Sequence, residues 1–204
     1  MLPLTGIKVI ELGQNLAGPY AAEVLAHLGA DVVKIERPEG DDARGWGPPF
    51  WKGVSPGFLA VNANKRSVTV DLKDAEAVER LMELIGEADV LIQNLRPGSL
   101  EAVGLGPDSL VARCPRLVYC SVWAFGRKGP FAWKPGYEPI LQAFSGLMMM
   151  NTGEGEPARR IGTSILDFGT GMWTAIGALA GLVHRARTGR GCVVDASLLE
   201  TALA

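Results

Sequence analysis

One carboxylate in the sequence has the surroundings of a group that could carry covalent chemistry. Asp167 lies among apolar residues in ILDFGTG, beside glycines that let a backbone approach a ligand closely. A carboxylate removed from water can act as a nucleophile toward an acyl group. The same local pattern is typical of an aspartate that caps a helix N-terminus, and spacing alone favours that structural role.

Three other segments carry groups that could bind a phosphate-containing ligand. Residues 13–18 (GQNLAG) follow a β-branched run and precede Pro19, which predicts a turn from a strand into a helix N-terminus, where backbone N–H groups bind anions. The basic turn NANKR covers 62–66, and NLRPG covers 94–98. Arginine and lysine beside asparagine can clamp a phosphate. Short basic turns are also common as solvated loops, so this alternative stays open.

The turn at 13–18 is compatible with more than one ligand. A dinucleotide fingerprint needs G-x-G-x-x-G, whereas this turn has glycine only at 13 and 18. Glu36 lies where a NAD-dependent dehydrogenase keeps its ribose-binding acid. Arg37, beside it, favours a phosphorylated ribose instead. A plain strand-turn-helix without any ligand is the third possibility.

An alternation of strands and helices has to position these groups. Apolar, β-branched runs predict five strands separated by helices, at 8–12, 31–35, 67–71, 90–94 and 117–122. We therefore expect an α/β fold with an open, mostly parallel, Rossmann-like sheet flanked by helices. The carboxyl ends of parallel strands share one edge, so the candidate segments should meet there.

Two stretches depart from this rhythm. Residues 36–57 contain four prolines and five glycines, which predicts a long functional loop. After residue 123, long helices are predicted at 138–150 and 168–187, then a strand at 192–197. A last helix, LLETALA, reaches the end of the sequence without a stop signal. We expect these helices to lead into a second, smaller domain that this sequence lacks.

Composition argues against several classes of function. With 20 basic and 22 acidic residues, the net charge of -2 provides no extended field for nucleic acid. The three cysteines show no CxxC spacing, so we expect no disulfide framework or zinc site and a cytoplasmic location. The apolar stretch 172–183 is too short for a bilayer and predicts a buried helix rather than a membrane span. No metal-ligand spacing, Ser-His-Asp pattern or P-loop is present.

Read together, the segments resemble the class III coenzyme A transferases (CaiB/BaiF), a family that includes formyl-CoA transferases, carnitine CoA transferases and α-methylacyl-CoA racemases. The matching stretches are LAGPYAAEVLAHLGADVVKIERP, NANKRSVTVDLK, DVLIQNLRPG, PGYEPILQAFSGLM, and LDFGTGMW followed by HRARTGRG and VDASLLE. They follow the family's order and cover nearly the whole chain. Such a series is far more specific than any single segment, and it favours a catalytic Asp167 over a capping one.

The resemblance implies an acyl-CoA:carboxylate CoA transferase in which Asp167 forms an acyl anhydride and then a CoA thioester. CoA would be a substrate, not a tightly bound cofactor, and small carboxylic acids would be its partners. The residues implied to contact CoA are Leu16, Ala17, Arg37, Asn64, Lys65, Asn94 and Leu95. Tyr137 and Glu138 would belong to the acyl site. A family arginine that binds the nucleotide would fall near Ala102, and Arg96 is the candidate to replace it.

Two alternatives remain within the family. Racemases carry a catalytic histidine in the segment that reads PGYEPIL here, and Tyr137 at the matching position argues for transfer over racemisation. A non-catalytic CoA-binding fragment is the other, because family members are roughly twice this length. The resemblance thus implies that residues 1–204 are the large CoA-binding domain of a longer protein. Family members also form interlocked homodimers, which we expect here.

Overall fold

Six strands form one parallel sheet in the computed structural model of the chain, which describes residues 1–204. The strands are β1 (Lys8–Leu12), β2 (Asp31–Glu36), β3 (Lys65–Thr69), β4 (Val90–Gln93), β5 (Val118–Trp123) and β6 (Val193–Ser197). Their order in the sheet is β3-β2-β1-β4-β5-β6, and every neighbouring pair is parallel. The predicted α/β fold is confirmed. The sheet is parallel throughout, and β6 adds a sixth strand to the five predicted for it.

Eight α-helices connect and cover these strands. They are α1 (Ala17–His27), α2 (Pro56–Ala60), α3 (Ala75–Gly86), α4 (Pro107–Arg113), α5 (Glu138–Phe144), α6 (Leu147–Met150), α7 (Ile165–Thr188) and α8 (Leu198–Leu203). Side chains alternate across the strands, so each face of the sheet buries its own hydrophobic core. Val9 packs with Leu25 of α1 and Ala178 of α7 on one face. On the other face, Ile10 packs with Leu81 of α3.

The chain leaves the two central strands toward opposite faces of the sheet. The turn after β1 enters α1 on one face, whereas the chain after β4 reaches α4, which packs on the other face. A parallel sheet binds its ligand in the crevice that opens outside the carboxyl ends of such diverging strands. The strand order therefore places a crevice between the ends of β1 and β4.

Small residues let the long helix α7 lie close to α1 and to the sheet. A Cβ added at Gly171 would lie 2.8 Å from the carbonyl oxygen of Ala17, and one at Gly181 would lie 2.5 Å from a methyl group of Val118. The buried helix predicted for 172–183 is buried on this side only, since Trp173 and Val183 on the outer side are more than half exposed. By length and composition α7 could cross a membrane, a test that core helices of soluble proteins also pass.

The structure differs from the sequence predictions at several places. The helix predicted over 138–150 is divided into α5 and α6, because Gly146 has a left-handed φ of 86° between them. The strand predicted at 67–71 lies at Lys65–Thr69. Within the long loop predicted at 36–57, Asp41 caps a 3-10 turn over Asp42–Gly45 by accepting the N–H of Ala43 at 2.9 Å. This loop therefore has a defined conformation next to β2.

Candidate active site

A cavity of about 1170 Å³ lies at the carboxyl edge of the sheet, in the predicted crevice. Segments at the ends of all six strands line it, together with the N-terminal residues of α5 and α7. A cavity of this size can hold a ligand larger than a nucleotide. The residues predicted for the site that line this cavity are Leu16, Ala17, Arg37, Asn94, Leu95, Tyr137, Glu138 and Asp167.

The turn between β1 and α1 is held in place from both sides of the crevice. Asn94, just after β4, accepts the N–H of Gln14 at 2.7 Å and donates its amide to the carbonyl of Gln14 at 2.8 Å. On the other side, Asp41 accepts the N–H of Asn15 at 3.0 Å. Asn15 adopts a left-handed φ of 63°, which asparagine tolerates better than most residues. These contacts fix the cavity wall formed by Leu16 and Ala17.

A buried lysine supports this turn from below. Lys34 is 1% exposed, and its ammonium donates to Glu11 at 2.9 Å and to the carbonyl of Gly13 at 2.8 Å. The ammonium also lies 2.9 Å from Asp41. Burial by itself would lower the pKa of Lys34, but the charges of Glu11 and Asp41 outweigh burial and raise it. Lys34 thus remains charged and joins β1, β2 and the loop after β2.

Glu36 is occupied by contacts within the protein. Arg44 donates to both of its carboxylate oxygens at 2.7 Å, and the side chain is buried. The paired guanidinium is the main reason that the pKa of Glu36 falls to about 2. Because both oxygens already accept hydrogen bonds, Glu36 is not free to bind a ribose diol. This geometry argues against the dehydrogenase alternative.

Two residues predicted to contact CoA lie outside the cavity. The ammonium of Lys65 is 2% exposed and donates to Glu11 at 2.9 Å and to the carbonyl of Pro19 at 2.7 Å. Burial lowers the pKa of Lys65. Asn64 is exposed and lies beside His27 at the C-terminal end of α1. The basic turn therefore stabilises the protein beneath α1 and is not brought to the ligand crevice.

Three cations of the cavity wall were missed by the sequence reasoning, namely Lys73, Lys134 and Arg160. Lys73 follows the end of β3, and its place just after a predicted strand is the signal that could have found it. Lys134 and Arg160 come from irregular segments that no local pattern connects to the sheet edge. Arg96 lines the cavity as well, whereas Ala102 does not.

Asp167 is the third residue of α7, which begins three residues earlier than predicted. Ser164 occupies the N-cap position, so the capping role considered for Asp167 is wrong. The first N–H groups of α7 are instead bound by Glu138, which accepts from Leu166 at 3.2 Å and from Asp167 at 3.0 Å. Glu138 is 5% exposed and also accepts from Gln142 at 2.7 Å. A carboxylate from α5 thus caps the N-terminus of α7.

The carboxyl group of Asp167 has the electrostatic properties expected of a catalytic nucleophile. Burial, followed by the negative charge of Glu138, raises the pKa of Asp167 to about 7. Near neutral pH a large fraction of this group is ionised, yet water solvates it poorly. Such a carboxylate is more reactive toward an acyl carbon than an ordinary surface aspartate.

Neither histidine of the chain lines the cavity, which bears on the racemase alternative. His27 lies at the end of α1 and His184 in the last turns of α7. Tyr137, at the position of the racemase histidine, is 60% exposed on the cavity wall. Within this chain, no imidazole is available as a base next to Asp167.

Comparison with known proteins agrees with this geometry. The sequence matches CoA-transferase family III over residues 4–204. Succinyl-CoA:glutarate CoA-transferase of Mus musculus is 42% identical over 206 residues, which cover all of this chain and 47% of that protein. Succinate–glutarate CoA-transferase of Agrobacterium fabrum is 42% identical, over 97% of this chain and 51% of that protein.

A solved structure extends the likeness to three dimensions. A CaiB/BaiF family protein from Brucella suis superposes with a TM-score of 0.94 at 41% identity, over 98% of this chain and 54% of that chain. The chain thus spans about half the length of the relatives it matches. Since the match covers almost every residue and includes the cavity with Asp167, this chain belongs to CoA-transferase family III.

Proposed function

We propose that the protein transfers CoA from an acyl-CoA to a carboxylic acid, with Asp167 as the covalent nucleophile. The observation that carries the proposal is the position of Asp167, a poorly solvated carboxyl on the wall of the sheet-edge cavity. The relatives whose names specify CoA transfer add support. Because this chain spans about half of their length, the activity of the whole protein is part of the proposal.

The proposed reaction begins with attack of a carboxylate oxygen of Asp167 on the thioester carbon of the donor. The C–S bond breaks, CoA leaves as a thiolate with the electron pair, and Asp167 becomes a mixed anhydride. The thiolate then attacks the Asp167 carbonyl of this anhydride. The donor acid leaves as a carboxylate, and an aspartyl-CoA thioester remains.

The second half of the reaction reverses these steps with the acceptor. An acceptor carboxylate attacks the carbonyl carbon of the aspartyl-CoA thioester, which releases the thiolate and forms a second anhydride. The thiolate attacks the acceptor's acyl carbon, and Asp167 leaves as a carboxylate. No net proton is taken up or released, so the cycle needs no separate acid or base.

Glu138 supports this chemistry through its charge and its hydrogen bonds. The ionised Asp167 is repelled by Glu138 and is poorly solvated, whereas the acylated Asp167 carries no charge. Acylation therefore relieves both unfavourable effects and is favoured by the site. Because Glu138 binds the N–H of Asp167 itself, it also positions the nucleophile.

The nucleotide part of CoA is proposed to lie along the strand ends. Leu16, Ala17, Asn94 and Leu95 form the wall at β1 and β4. The cations that could bind the phosphates there are Arg37, Lys73 and Arg96. CoA acts as a substrate and leaves the site, so no tightly bound cofactor is part of this proposal.

The proposed substrates are acyl-CoA thioesters and small carboxylic acids. The relatives named above are described as acting between succinyl-CoA, or succinate, and glutarate. We also propose a cytoplasmic homodimer for the full-length protein, on the basis of the family resemblance. Light scattering of the purified protein would test the oligomeric state.

The function is tested with the full-length protein, an acyl-CoA donor and a ¹³C-labelled acid as acceptor. Mass spectrometry should detect the labelled acyl-CoA, and hydroxylamine should trap a modification at Asp167. Asp167→Ala should abolish transfer but retain CoA binding. Asp108→Ala is a matched control, since Asp108 lies in the first turn of α4 and does not line the cavity.

Three results would contradict the proposal. Transfer by Asp167→Ala at a rate close to wild type would exclude Asp167 as the nucleophile. CoA binding by the wild type without any transfer would favour a non-catalytic CoA-binding protein. Deuterium exchange at the α-carbon of a 2-methylacyl-CoA, without transfer, would favour the racemase alternative.

A further inference from the structure

Arg160 is an unpaired cation on the cavity wall. Its guanidinium is exposed, lines the cavity and makes neither an ion pair nor a hydrogen bond within the chain. The adjacent Arg159 differs in both respects, because it pairs with Glu156 at 3.0 Å and does not line the cavity. An arginine that faces a ligand cavity without a partner is available to bind an anionic group of the ligand.

A chain of hydrogen bonds ties the segment of Arg160 to the nucleophile. The N–H of Ile161 donates to the side-chain oxygen of Gln142 at 2.9 Å. The amide of Gln142 donates to Glu138 at 2.7 Å, and Glu138 accepts the N–H of Asp167 at 3.0 Å. Gln142 is fully buried, so this connection is rigid. The backbone next to Arg160 is therefore tied to the residues that position Asp167, and the cavity wall runs from Arg160 through Thr163 and Ser164 to Asp167.

Two of the other unpaired cations of the cavity belong to the strand ends. Lys73 and Arg96 follow the ends of β3 and β4, where the nucleotide is proposed to lie. Lys134 stacks on the ring of Phe131 at 5.1 Å and is not part of the hydrogen-bond chain. A thioester placed at Asp167 with its nucleotide along the strand ends leaves its acyl chain on the side of Arg160.

A second carboxylate on the acyl group would meet two acidic side chains at this end of the cavity. Asp167 and Glu138 are both there, and without a cation they would repel an anionic acyl chain. Arg160 offsets this repulsion and offers a guanidinium that matches a carboxylate with two parallel hydrogen bonds. An acyl group that ends in a methyl would leave this cation unpaired.

We propose that Arg160 is a specificity-determining residue that binds the distal carboxylate of a dicarboxylic acyl group. The preferred donors are monothioesters of dicarboxylic acids, and the preferred acceptors are short dicarboxylic acids. This inference rests on the proposed CoA transfer, since Asp167 defines the reacting end of the cavity. Arg160 binds substrate in this role and takes no part in bond making or breaking.

The test compares two donors that differ only at the distal group. Succinyl-CoA and butyryl-CoA have the same chain length, and one ends in a carboxylate where the other ends in a methyl. The full-length protein transfers CoA from each donor to ¹³C-labelled butyrate, and mass spectrometry gives kcat/KM for the donor. Because the acceptor is the same and has no distal charge, any difference arises from the donor.

Arg160→Gln should lower kcat/KM for succinyl-CoA by about 10- to 100-fold, the loss expected when a charge-assisted hydrogen bond is removed. For butyryl-CoA the value should change by less than about twofold, which also shows that the variant is folded. Arg160→Lys should keep an intermediate value for succinyl-CoA, because it preserves the charge without the paired geometry. Arg159→Gln should leave both donors unchanged.

Equal losses for both donors, or no loss for succinyl-CoA, would overturn the inference and leave the proposed function intact. A loss for succinyl-CoA of similar size in Arg159→Gln would overturn it as well, since that arginine lies outside the cavity. If the wild-type protein transfers CoA from neither donor to any acid, the proposed function fails, and the role of Arg160 fails with it.

Discussion

Replacing Asp167 with asparagine should stabilise the folded protein near and above neutral pH while it abolishes transfer. Burial and then the charge of Glu138 raise the pKa of Asp167 from 3.8 to about 7 in the folded state. A pKa difference of that size corresponds to a loss of ~4 kcal/mol in the free energy of unfolding when the carboxyl ionises. Solvent within the cavity screens part of this effect, so we expect a gain of ~2–3 kcal/mol from the neutral amide.

The sign of the effect depends on pH. Below about pH 4 the carboxyl is protonated in both the folded and the unfolded state, and the substitution should have little effect. Between about pH 4 and pH 7 the unfolded state ionises first, so the wild-type protein steadily loses stability relative to Asp167→Asn. Above about pH 7 the difference should reach a plateau, because both states are then ionised.

Urea unfolding followed by tryptophan fluorescence, at a series of pH values, measures this difference. Asp108→Asn is the control, because its carboxylate is 88% exposed in the first turn of α4 and does not line the cavity. A stability difference for Asp167→Asn that is the same at every pH would refute the reasoning. It would mean that the carboxyl is solvated in the folded protein.

Three further predictions follow from the same structure. The kcat/KM for the acyl-CoA donor, measured as a function of pH, should rise around a midpoint near 7, the pKa of Asp167. Glu138→Gln should shift that midpoint to lower pH, because it removes a negative charge near Asp167. An unmoved midpoint would contradict coupling between the two groups. Lys34→Met should lower the free energy of unfolding by ~3–5 kcal/mol in urea titrations, since the buried Asp41 loses its counter-charge and Glu11 keeps only Lys65. Lys8→Met, which breaks an exposed pair with Glu87, should have little effect, and equal effects of the two lysines would contradict the argument. Gly171→Ala should lower the free energy of unfolding, measured by thermal denaturation, by ~1–3 kcal/mol, because the added Cβ would lie 2.8 Å from the carbonyl oxygen of Ala17. Gly86→Ala meets nothing within 4 Å at the end of α3 and should be neutral or slightly stabilising.

Much of the cavity wall at the strand ends, where the nucleotide is proposed to lie, could be predicted from local sequence. Leu16, Ala17, Arg37 and Leu95 follow strands that short-range patterns identify, and parallel strands present their carboxyl ends on one edge. The basic turn shows where such reasoning fails. Lysine is a common phosphate ligand, but the ammonium of Lys65 instead donates hydrogen bonds to Glu11 and to backbone carbonyls beneath α1.

The end of the cavity near Asp167 depended on contacts between distant segments. The cap on α7 comes from Glu138, 29 residues before Asp167, so the start of α7 and the raised pKa of Asp167 could not be predicted locally. Arg160 reaches the cavity from a segment that is held by the contact of Ile161 with Gln142 and by contacts of Arg159 with Thr152. Neither contact leaves a periodic or spaced signal in the sequence.

The sequence by itself determined the alternation of strands and helices, the α/β class and the resemblance to the family, which implies a catalytic Asp167. These properties depend on hydrophobic periodicity, turn residues and short motifs, which are encoded over a few neighbouring residues. Tertiary structure alone decided which polar groups are buried against one another and which face the cavity. The ionisation of a carboxyl and the availability of a cation depend on solvation and on charges a few ångströms away, and only the packing of distant segments sets those distances.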